Sequence, residues 1–217
     1  MKETWFDKFA KVHNVVFTEE DFRAYSEMVK EELPTYRKYL KEGARILDAG
    51  CGLGCTSVPF SREGYDVVGI DNDSRVIEAA KQNGKNFGGK IEFKVIDVFD
   101  IDKEFGKDSF DACIHGGVLE HFSREQIWEL VDKQLFVAPI IICSVVLRTE
   151  ETLEHYKVKK EGEKEICVNG IERNLWTEDQ WLDDILKGYN IVEKKVTRSH
   201  PKIGDFDELH LVIRRSE

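Results

Sequence analysis

A buried-strand pattern that runs directly into a turn with three glycines most constrains the fold of this chain. Residues 44–49 are largely apolar, and Gly50, Gly52 and Gly54 stand at alternate positions after them. Glycine accepts positive φ and leaves backbone N–H groups uncovered, so a glycine-rich turn between a strand and a helix suits nucleotide-like ligands. The pattern favours an α/β fold whose first strand ends at a ligand site.

The spacing of these glycines counts against the commonest nucleotide-binding motifs. A dinucleotide fingerprint, G-x-G-x-x-G, needs its third glycine where this chain has Cys55. A P-loop needs a Gly-Lys-Ser/Thr sequence at the end of the turn, and this turn has none. NAD, FAD and P-loop nucleotides are therefore disfavoured as ligands.

Three further apolar runs end in acidic or small residues. The second run, residues 65–70, ends at Asp71, and the third, residues 91–96, ends at Asp97. The fourth run, residues 110–115, leads into a pair of glycines. An acidic residue at the end of the second strand of an open α/β sheet is placed to accept hydrogen bonds from ribose hydroxyls, and ligands bind at the carboxyl ends of such strands. We therefore expect these four strand ends to carry the ligand-binding residues.

At these residues the chain resembles the class I S-adenosylmethionine (SAM)-dependent methyltransferases. The resemblance covers roughly residues 44–147, in the order and spacing of the family. It is carried by Leu47-Asp48-Ala49-Gly50-Cys51-Gly52-Leu53-Gly54, Val68-Gly69-Ile70-Asp71, Val95-Ile96-Asp97-Val98-Phe99, and Phe110-Asp111 with Val118-Leu119-Glu120-His121. It implies an α/β fold with a doubly wound, seven-stranded, mainly parallel sheet and a C-terminal antiparallel hairpin. It also implies SAM as the cofactor and says little about the substrate.

The resemblance implies a cofactor role for particular residues. The loop from Gly50 to Gly54 would pack against the methionine portion of SAM, with Asp48 near its amino group. Asp71 would hold the ribose hydroxyls, and Asp97 would accept from the adenine amino group. The implied cofactor-binding residues are Asp48, Gly50, Cys51, Gly52, Gly54, Asp71, Asn72, Asp97, Val98, Phe99 and His115. Taken alone, Asp71 and Asp97 would equally suit ordinary strand-end carboxylates.

His121 is the candidate catalytic base, because histidine titrates near neutral pH and this residue follows the fourth strand. The alternative interpretation is a histidine at a helix start that bonds to the backbone. His115, His155 and Glu120 are weaker candidates.

The chain is predicted to form one domain over residues 1–217. Its parts are a helical N-terminal lid (1–42), the SAM-binding core (43–147), an insertion (148–176) and a C-terminal helix and hairpin (177–217). Aromatic residues recur at helical spacing in the first part until Pro34 breaks the pattern, and Tyr25 and Tyr36 are candidates to line an acceptor pocket. The alternative is that these aromatic side chains only pack on the sheet.

Local signals set the expected boundaries of several elements. Two capping-box patterns, Ser123 with Gln126 and Thr177 with Gln180, each predict the start of a helix. Ser74 is expected to cap a third helix. Two final strands are expected near 189–197 and 206–214. In the insertion, short strands are expected at 156–160, 165–168 and 171–175, with Asn169-Gly170 as a hairpin turn.

Composition and charge indicate which cellular compartment and which kinds of partner to expect for this chain. The net charge is −10 with no basic block, which disfavours a nucleic-acid substrate. Five cysteines without framework spacing favour a reducing, cytoplasmic location, and Cys51 with Cys55 lacks a second ligand pair, so no metal site is predicted. The charged start lacks a leader pattern, and the apolar run 136–147 is too short to span a bilayer, so no membrane partner is expected.

The sequence thus predicts a SAM-dependent methyltransferase that transfers a methyl group directly, in line, to a small-molecule acceptor. One alternative is methylation of RNA or protein. Another, from a different class, is a SAM-binding subunit without activity that partners another protein. The acceptor and the oligomeric state are not determined by the sequence.

Overall fold

A computed structural model describes residues 4–11, 14–161, 164–166, 171–199 and 204–216. Its helices are α1 (Trp5–Phe9), α2 (Glu19–Tyr39), α3 (Ser57–Arg62), α4 (Ser74–Phe87), α5 (Ile101–Glu104), α6 (Arg124–Val137), α7 (Glu150–His155) and α8 (Glu178–Gln180). Its strands are β1 (Arg45–Ala49), β2 (Asp66–Asp71), β3 (Ile91–Val95), β4 (Ala112–Gly116), β5 (Ile140–Val146), β6 (Lys159–Glu161), β7 (Lys164–Ile166), β8 (Asn190–Arg198) and β9 (Asp207–Arg214). Short 3-10 turns cover Val98–Asp100 and Leu119–His121, and a π-helical turn, Trp181–Ile185, continues α8.

Seven strands form one sheet in the order β3-β2-β1-β4-β5-β9-β8. Strand β1 pairs in parallel with β2 and β4, and β2 pairs in parallel with β3. The last two strands of the chain, β8 and β9, pair antiparallel. This arrangement confirms the predicted doubly wound, mainly parallel sheet with a C-terminal antiparallel hairpin. The strands β6 and β7 form a separate two-stranded sheet.

The chain divides into two compact units. The first, called here the loop unit, comprises residues 14–115 and 133–142. The second, called here the hairpin unit, comprises the described parts of residues 1–13, 116–132 and 143–217. The prediction of a single domain over 1–217, with residues 1–42 as a lid, stays a prediction.

The core of the loop unit is built from the central parallel strands. In β1 every residue after Arg45 is buried, and in β2 residues 67–70 are buried. Ile46, Leu47 and Val67 have no exposed surface. Strands covered on both faces are apolar without alternation, which is why the sequence shows continuous hydrophobic runs here. Because the apolar runs stop where burial stops, they locate the strand ends, where the polar residues follow.

Helix α2 continues through Pro34, and the prediction that this residue breaks the helical pattern is wrong. The helix begins at a capping box in which the Thr18 hydroxyl accepts from the N–H of Asp21. Proline inside a helix removes one hydrogen bond and costs about 3 kcal/mol. Burial of Leu33 and Tyr36, which are 4% and 5% exposed, offsets that cost on the core side of the helix.

The other helix signals were largely confirmed. Capping-box contacts form at Ser123 with Gln126 and at Thr177 with Gln180. Helix α4 differs, because Asp73 caps it by accepting from the N–H of Arg75, while Ser74 is its first helical residue. Aspartate accepts this N-terminal hydrogen bond as readily as serine, so the two adjacent residues compete for the position.

The C-terminal hairpin matches the predicted strand spans more closely than the insertion does. Strands β8 and β9 lie within one residue of the expected spans. Of the three short strands expected in the insertion, residues 171–175 form none, because the N–H of Asn174 donates to the carbonyl of Glu120 at 2.7 Å instead of to a strand partner. The strands β6 and β7 are present, and the expected turn at Asn169-Gly170 lies outside the described residues. None of the helices in the described ranges is long and apolar enough to cross a membrane.

Candidate functional site

The glycine loop that follows β1 takes the left-handed backbone conformation expected of it. Gly50, Gly52 and Gly54 have φ values of 77°, 52° and 82°. A Cβ added at Gly52 would meet no atom within 4 Å, whereas one added at Gly54 would lie 3.2 Å from the Phe93 ring. The loop therefore presents open backbone at Gly52 and close packing at Gly54, and both positions need glycine.

Asp48 lies at the start of this loop with its carboxylate buried. It is 2% exposed, and the Ser57 hydroxyl donates to its Oδ2 atom at 2.6 Å. Burial raises the pKa of Asp48 to about 6, and the hydrogen bonds from Ser57 oppose the shift. Since one oxygen is already bonded within the protein, Asp48 is held in a fixed orientation beneath the loop.

Asp71 ends β2 and lies partly buried against backbone donors. Its Oδ1 atom accepts from the N–H of Asp73 at 3.1 Å. Burial raises its pKa, while hydrogen bonds from the backbone of Asp73, Gly52 and Asn72 lower it. The Gly52 contact joins this strand end to the glycine loop. The neighbouring Asn72 has an exposed side chain.

Asp97 follows β3 and opens a short 3-10 turn. Its Oδ1 atom accepts from the N–H of Phe99 at 2.9 Å. The side chain of Val98 is buried, and those of Asp97 and Phe99 are partly exposed. Asp71 and Asp97 are thus each oriented by a local hydrogen bond at the strand ends that the apolar runs predicted.

Two residues implied as cofactor-binding have side chains that pack inside the loop unit. The Cys51 side chain belongs to a buried cluster with Val58, Ile77, Ala80 and Phe93, and its N–H donates to the carbonyl of Ile70 at 2.8 Å. His115 is 4% exposed, and neither of its ring nitrogens makes a hydrogen bond of good geometry within the described residues. Burial lowers the pKa of His115 to about 4, with the amide of Gln134 opposing the shift.

The segment before α2 is fixed to the glycine loop by one buried amide. Asn83 has no exposed surface, and its Oδ1 atom accepts from the N–H of Phe17 at 2.8 Å. Its Nδ2 atom donates to the carbonyls of Leu53, at 3.0 Å, and Val15, at 3.2 Å. The amide of one α4 residue therefore joins the chain entering α2 to the loop that follows β1.

Aromatic residues of α2 pack on helices of the same unit. The ring centroids of Phe22 and Phe87 are 4.5 Å apart, as are those of Tyr36 and Phe60. Tyr36 is 5% exposed, so its ring is occupied by this packing. Tyr25 instead contacts Cys55, whose pKa burial raises to about 12, with the hydrogen bond from Tyr25 opposing the shift. These rings of α2 therefore pack on α3 and α4 and not on the sheet that the alternative interpretation named, and the covering of the SAM pocket by residues 1–42 stays a prediction.

A second polar group lies in the hairpin unit and is called here the carboxylate cluster; its members are Glu120, Ser144, Arg173 and Glu208. The guanidinium of Arg173 contacts Glu120 Oε1 at 2.9 Å, and Glu120 has no exposed surface. The Ser144 hydroxyl contacts Glu208 Oε1 at 3.2 Å. Burial and the Glu120 charge raise the pKa of Glu208 to about 7, and the Ser144 and Arg173 contacts oppose the shift.

The two candidate histidines of this unit are both held by backbone groups. The Nδ1 atom of His121 lies 3.0 Å from the carbonyl of Glu172, and the ring also contacts the backbone of Gly117. Burial lowers the pKa of His121. His155 accepts from the N–H of Asp205 at 3.3 Å. These contacts favour the alternative of a backbone-bonded histidine at position 121, and its role as a base stays a prediction.

The sequence patterns missed Ser144, Arg173 and Glu208. Ser144 lies within a continuous apolar strand, and Arg173 lies in a segment expected to be a strand. Glu208 is a carboxylate near the start of β9, and its alternation with the buried Leu209 and Leu211 is typical of an exposed face. Only the folded structure brings these residues to Glu120. Within the described part of the chain, no group of three or more histidine, cysteine, aspartate or glutamate residues could hold a metal ion.

Comparison with known proteins gives the same assignment for the core. Residues 46–135 match the family model described as a methyltransferase domain. The chain is 39% identical over 80 residues to the ubiquinone biosynthesis O-methyltransferase of Methylocella silvestris, a match covering 37% of this chain and 30% of that protein. It is 28% identical over 153 residues to the ribosomal protein L11 methyltransferase of Thermotoga neapolitana, covering 70% of this chain and 53% of that protein. The chain thus spans about half or less of these relatives' lengths.

Solved structures extend the likeness to nearly the whole chain. The 1,6-didemethyltoxoflavin-N1-methyltransferase of Burkholderia thailandensis, solved with 1,6-didemethyltoxoflavin and S-adenosylhomocysteine bound, has a TM-score of 0.66 at 19% identity. The superposition covers 98% of this chain and 86% of that chain. At this identity the likeness establishes the fold alone. Residues 46–135 carry the methyltransferase-domain match, and the fold around them is that of the solved class I methyltransferases.

Proposed function

We propose that this protein binds SAM and transfers its methyl group to a small-molecule acceptor. The observation that carries the proposal is the loop unit's glycine loop, with open backbone at Gly52, bracketed by oriented carboxylates at Asp48 and Asp71. Such backbone accepts a ligand at van der Waals distance, and the carboxylates match the ammonium and hydroxyl donors of SAM. These donor and acceptor groups fit the cofactor.

The roles of the individual residues follow from their chemistry. Asp71 would accept from the ribose hydroxyls, and Asp97 from the adenine amino group, beside Val98 and Phe99. Asp48, which already accepts a hydrogen bond from Ser57, would accept another from the methionine amino group, directly or through water. The sulfonium supplies an electrophilic methyl group, so the protein must bind, orient and exclude water, and must accept a proton when the acceptor is a hydroxyl or a protonated amine.

Calorimetric titration of the purified protein with SAM, and separately with NAD, tests the proposal. We expect saturable binding of SAM at one site and no binding of NAD. Absence of SAM binding would contradict it. Incubation with methyl-labelled SAM and pools of small molecules, followed by mass spectrometry, would then identify the acceptor.

Methylation of a protein is the second candidate, and the specific observation in its favour is the likeness to the ribosomal protein L11 methyltransferase. Against a nucleic-acid acceptor stands the net charge of −10, since phosphate binding requires clustered basic residues. Label from SAM that enters protein and not the small-molecule fraction would favour this candidate. Binding of SAM without transfer to any acceptor would favour a non-catalytic SAM-binding subunit.

A further inference from the structure

The carboxylate cluster of the hairpin unit holds more negative than positive charge. The groups facing Glu208 are Glu120 after β4, Ser144 on β5 and Arg173 in the insertion, and its register partner on β8 is Thr197. When both glutamates are ionised, the single guanidinium leaves one negative charge uncompensated. A buried ion pair that served stability alone would be matched in charge, because an extra charge in a poorly solvated place is costly.

One oxygen in this cluster is available for a further hydrogen bond. Glu120 is fully buried, and while its Oε1 atom contacts Arg173, its Oε2 atom has no hydrogen-bond partner among the described residues. Buried carboxylate oxygens are nearly always hydrogen-bonded in native proteins. Among the described residues no donor fills this oxygen, so it is open to a donor that a bound ligand supplies.

Two glycines lie directly against the cluster, where a side chain would crowd its polar atoms. A Cβ at Gly116 would lie 3.1 Å from the Ser144 hydroxyl, and one at Gly117 would lie 3.4 Å from Glu120 Oε1. Gly117 also has a φ of 68°, a conformation that other residues rarely adopt. Glu208 is the partly exposed carboxylate of the cluster, so the cluster meets solvent at this residue.

We infer that the carboxylate cluster is an amine-binding subsite of the hairpin unit, which holds a ligand by its basic amino group. An ammonium group offers several N–H donors and one positive charge, which match the Glu120 Oε2 atom, the Glu208 carboxylate and the excess negative charge. A hydroxyl offers a single donor and no charge, and a carboxylate would be repelled.

The ionisation of Glu208 follows from the same arrangement. With a pKa of about 7, the Glu208 carboxyl takes up or releases its proton near neutral pH. A bound ammonium favours the ionised carboxylate, so amine binding lowers this pKa and releases a proton. Binding is therefore expected to strengthen as pH rises from 6 to 8, until the amine itself loses its charge.

The test uses the full chain and three small probes of one shape: benzylamine, benzyl alcohol and benzoate. Binding is measured at pH 8 by chemical-shift titration, with and without S-adenosylhomocysteine. We expect benzylamine to bind more tightly than both other probes. The variant Glu208→Gln should weaken benzylamine binding by about tenfold or more, because a charge-assisted hydrogen bond is lost. The variant Glu154→Gln, at an exposed carboxylate on α7, should bind as the wild type does.

An infrared readout makes the test independent of activity. Near pH 6 the wild type should show the absorption of a protonated carboxyl group that Glu208→Gln lacks, and benzylamine should remove it. Equal binding of benzyl alcohol, no detectable binding of benzylamine, or unchanged binding in Glu208→Gln would each overturn the inference. Titration of the same samples with SAM distinguishes failure of the proposed function from failure of the amine inference. Absence of SAM binding overturns the proposed function, whereas the amine inference is judged from benzylamine binding alone.

Discussion

Asp71 carries the most specific interaction of the proposed cofactor site, since its orientation depends on three backbone groups. We expect Asp71→Ala to weaken SAM binding by about 1 to 3 kcal/mol, because ribose hydroxyls would lose their acceptor. Calorimetric titration measures the loss. The control is Asp66→Ala, an exposed carboxylate at the opposite end of β2, which should leave the affinity unchanged. Equal affinity in wild type and Asp71→Ala would rule out the ribose assignment.

Asn83 is fully buried and its amide makes three hydrogen bonds, so its loss should destabilise the loop unit. Replacement by alanine leaves the N–H of Phe17 and the carbonyl of Leu53 without their buried partner. We expect Asn83→Ala to lower the free energy of unfolding by about 1 to 3 kcal/mol, as measured by chemical denaturation. Asn86→Ala, exposed on the same helix, should change it by less than about 0.5 kcal/mol. Similar losses in both variants would contradict a specific role for the buried amide.

At the scale of elements, the Phe93 ring of β3 packs directly on Gly69 of β2. Gly69 and Phe93 are register partners, and a Cβ at Gly69 would lie 2.7 Å from two carbons of the Phe93 ring. Gly54 and Gly84 also approach this ring, at 3.2 and 3.3 Å from an added Cβ. The absence of side chains at all three positions makes room for the aromatic ring, so one residue of β3 sets requirements on β2, α4 and the glycine loop.

The variant Gly69→Ala should therefore destabilise the protein by about 1 to 3 kcal/mol, since overpacking forces the ring out of place. Thermal and chemical unfolding measure the loss, and Phe93→Leu in the same chain should recover part of it. Gly106→Ala is the matched control, because its nearest neighbour would be the Ser109 hydroxyl at 3.6 Å. A loss in Gly106→Ala as large as in Gly69→Ala would show that general backbone effects dominate.

Elements that depend on local residues were predictable, and those that depend on tertiary contacts were not. The strand end at Asp71 follows from its apolar run, because burial in β2 stops where the run stops. In β3 only Phe93 is buried, and the strand end before Asp97 follows from the apolar positions Ile91, Phe93 and Val95. The prediction at Pro34 was wrong because the local cost of proline is outweighed by burial of its neighbours Leu33 and Tyr36, and Tyr36 packs on Phe60, which is distant in sequence. Glu208 could not be found, because its importance depends on Glu120, which is distant in sequence and is brought near it only by folding.

At the scale of the whole molecule, the carboxylate cluster makes stability depend on pH. The pKa of Glu208 rises from 4.5 to about 7 on folding, so the folded state binds more protons and stability falls as pH rises through this window. Glu208→Gln removes this dependence. Relative to wild type, the variant should gain about 1 to 3 kcal/mol between pH 5 and pH 8.

Denaturation curves of both proteins at the two pH values measure this difference. The buried histidines, with lowered pKa values, act in the opposite direction in both proteins and cancel in the comparison. Glu154→Gln should follow the wild type at both values. A difference between wild type and Glu208→Gln that stays constant with pH would mean that the Glu208 carboxyl ionises as it does in the unfolded chain.

The hydrogen bonds of the Asn83 amide offer a way to detect cofactor binding from the protein itself. It bonds the N–H of Phe17 on one side and the carbonyl of Leu53, in the glycine loop, on the other. That N–H can exchange with solvent deuterium only when this bond opens. A ligand that immobilises the loop also reduces the opening of its neighbour, so the Phe17 amide is a natural probe of cofactor binding, readable by exchange rate without any label on the ligand.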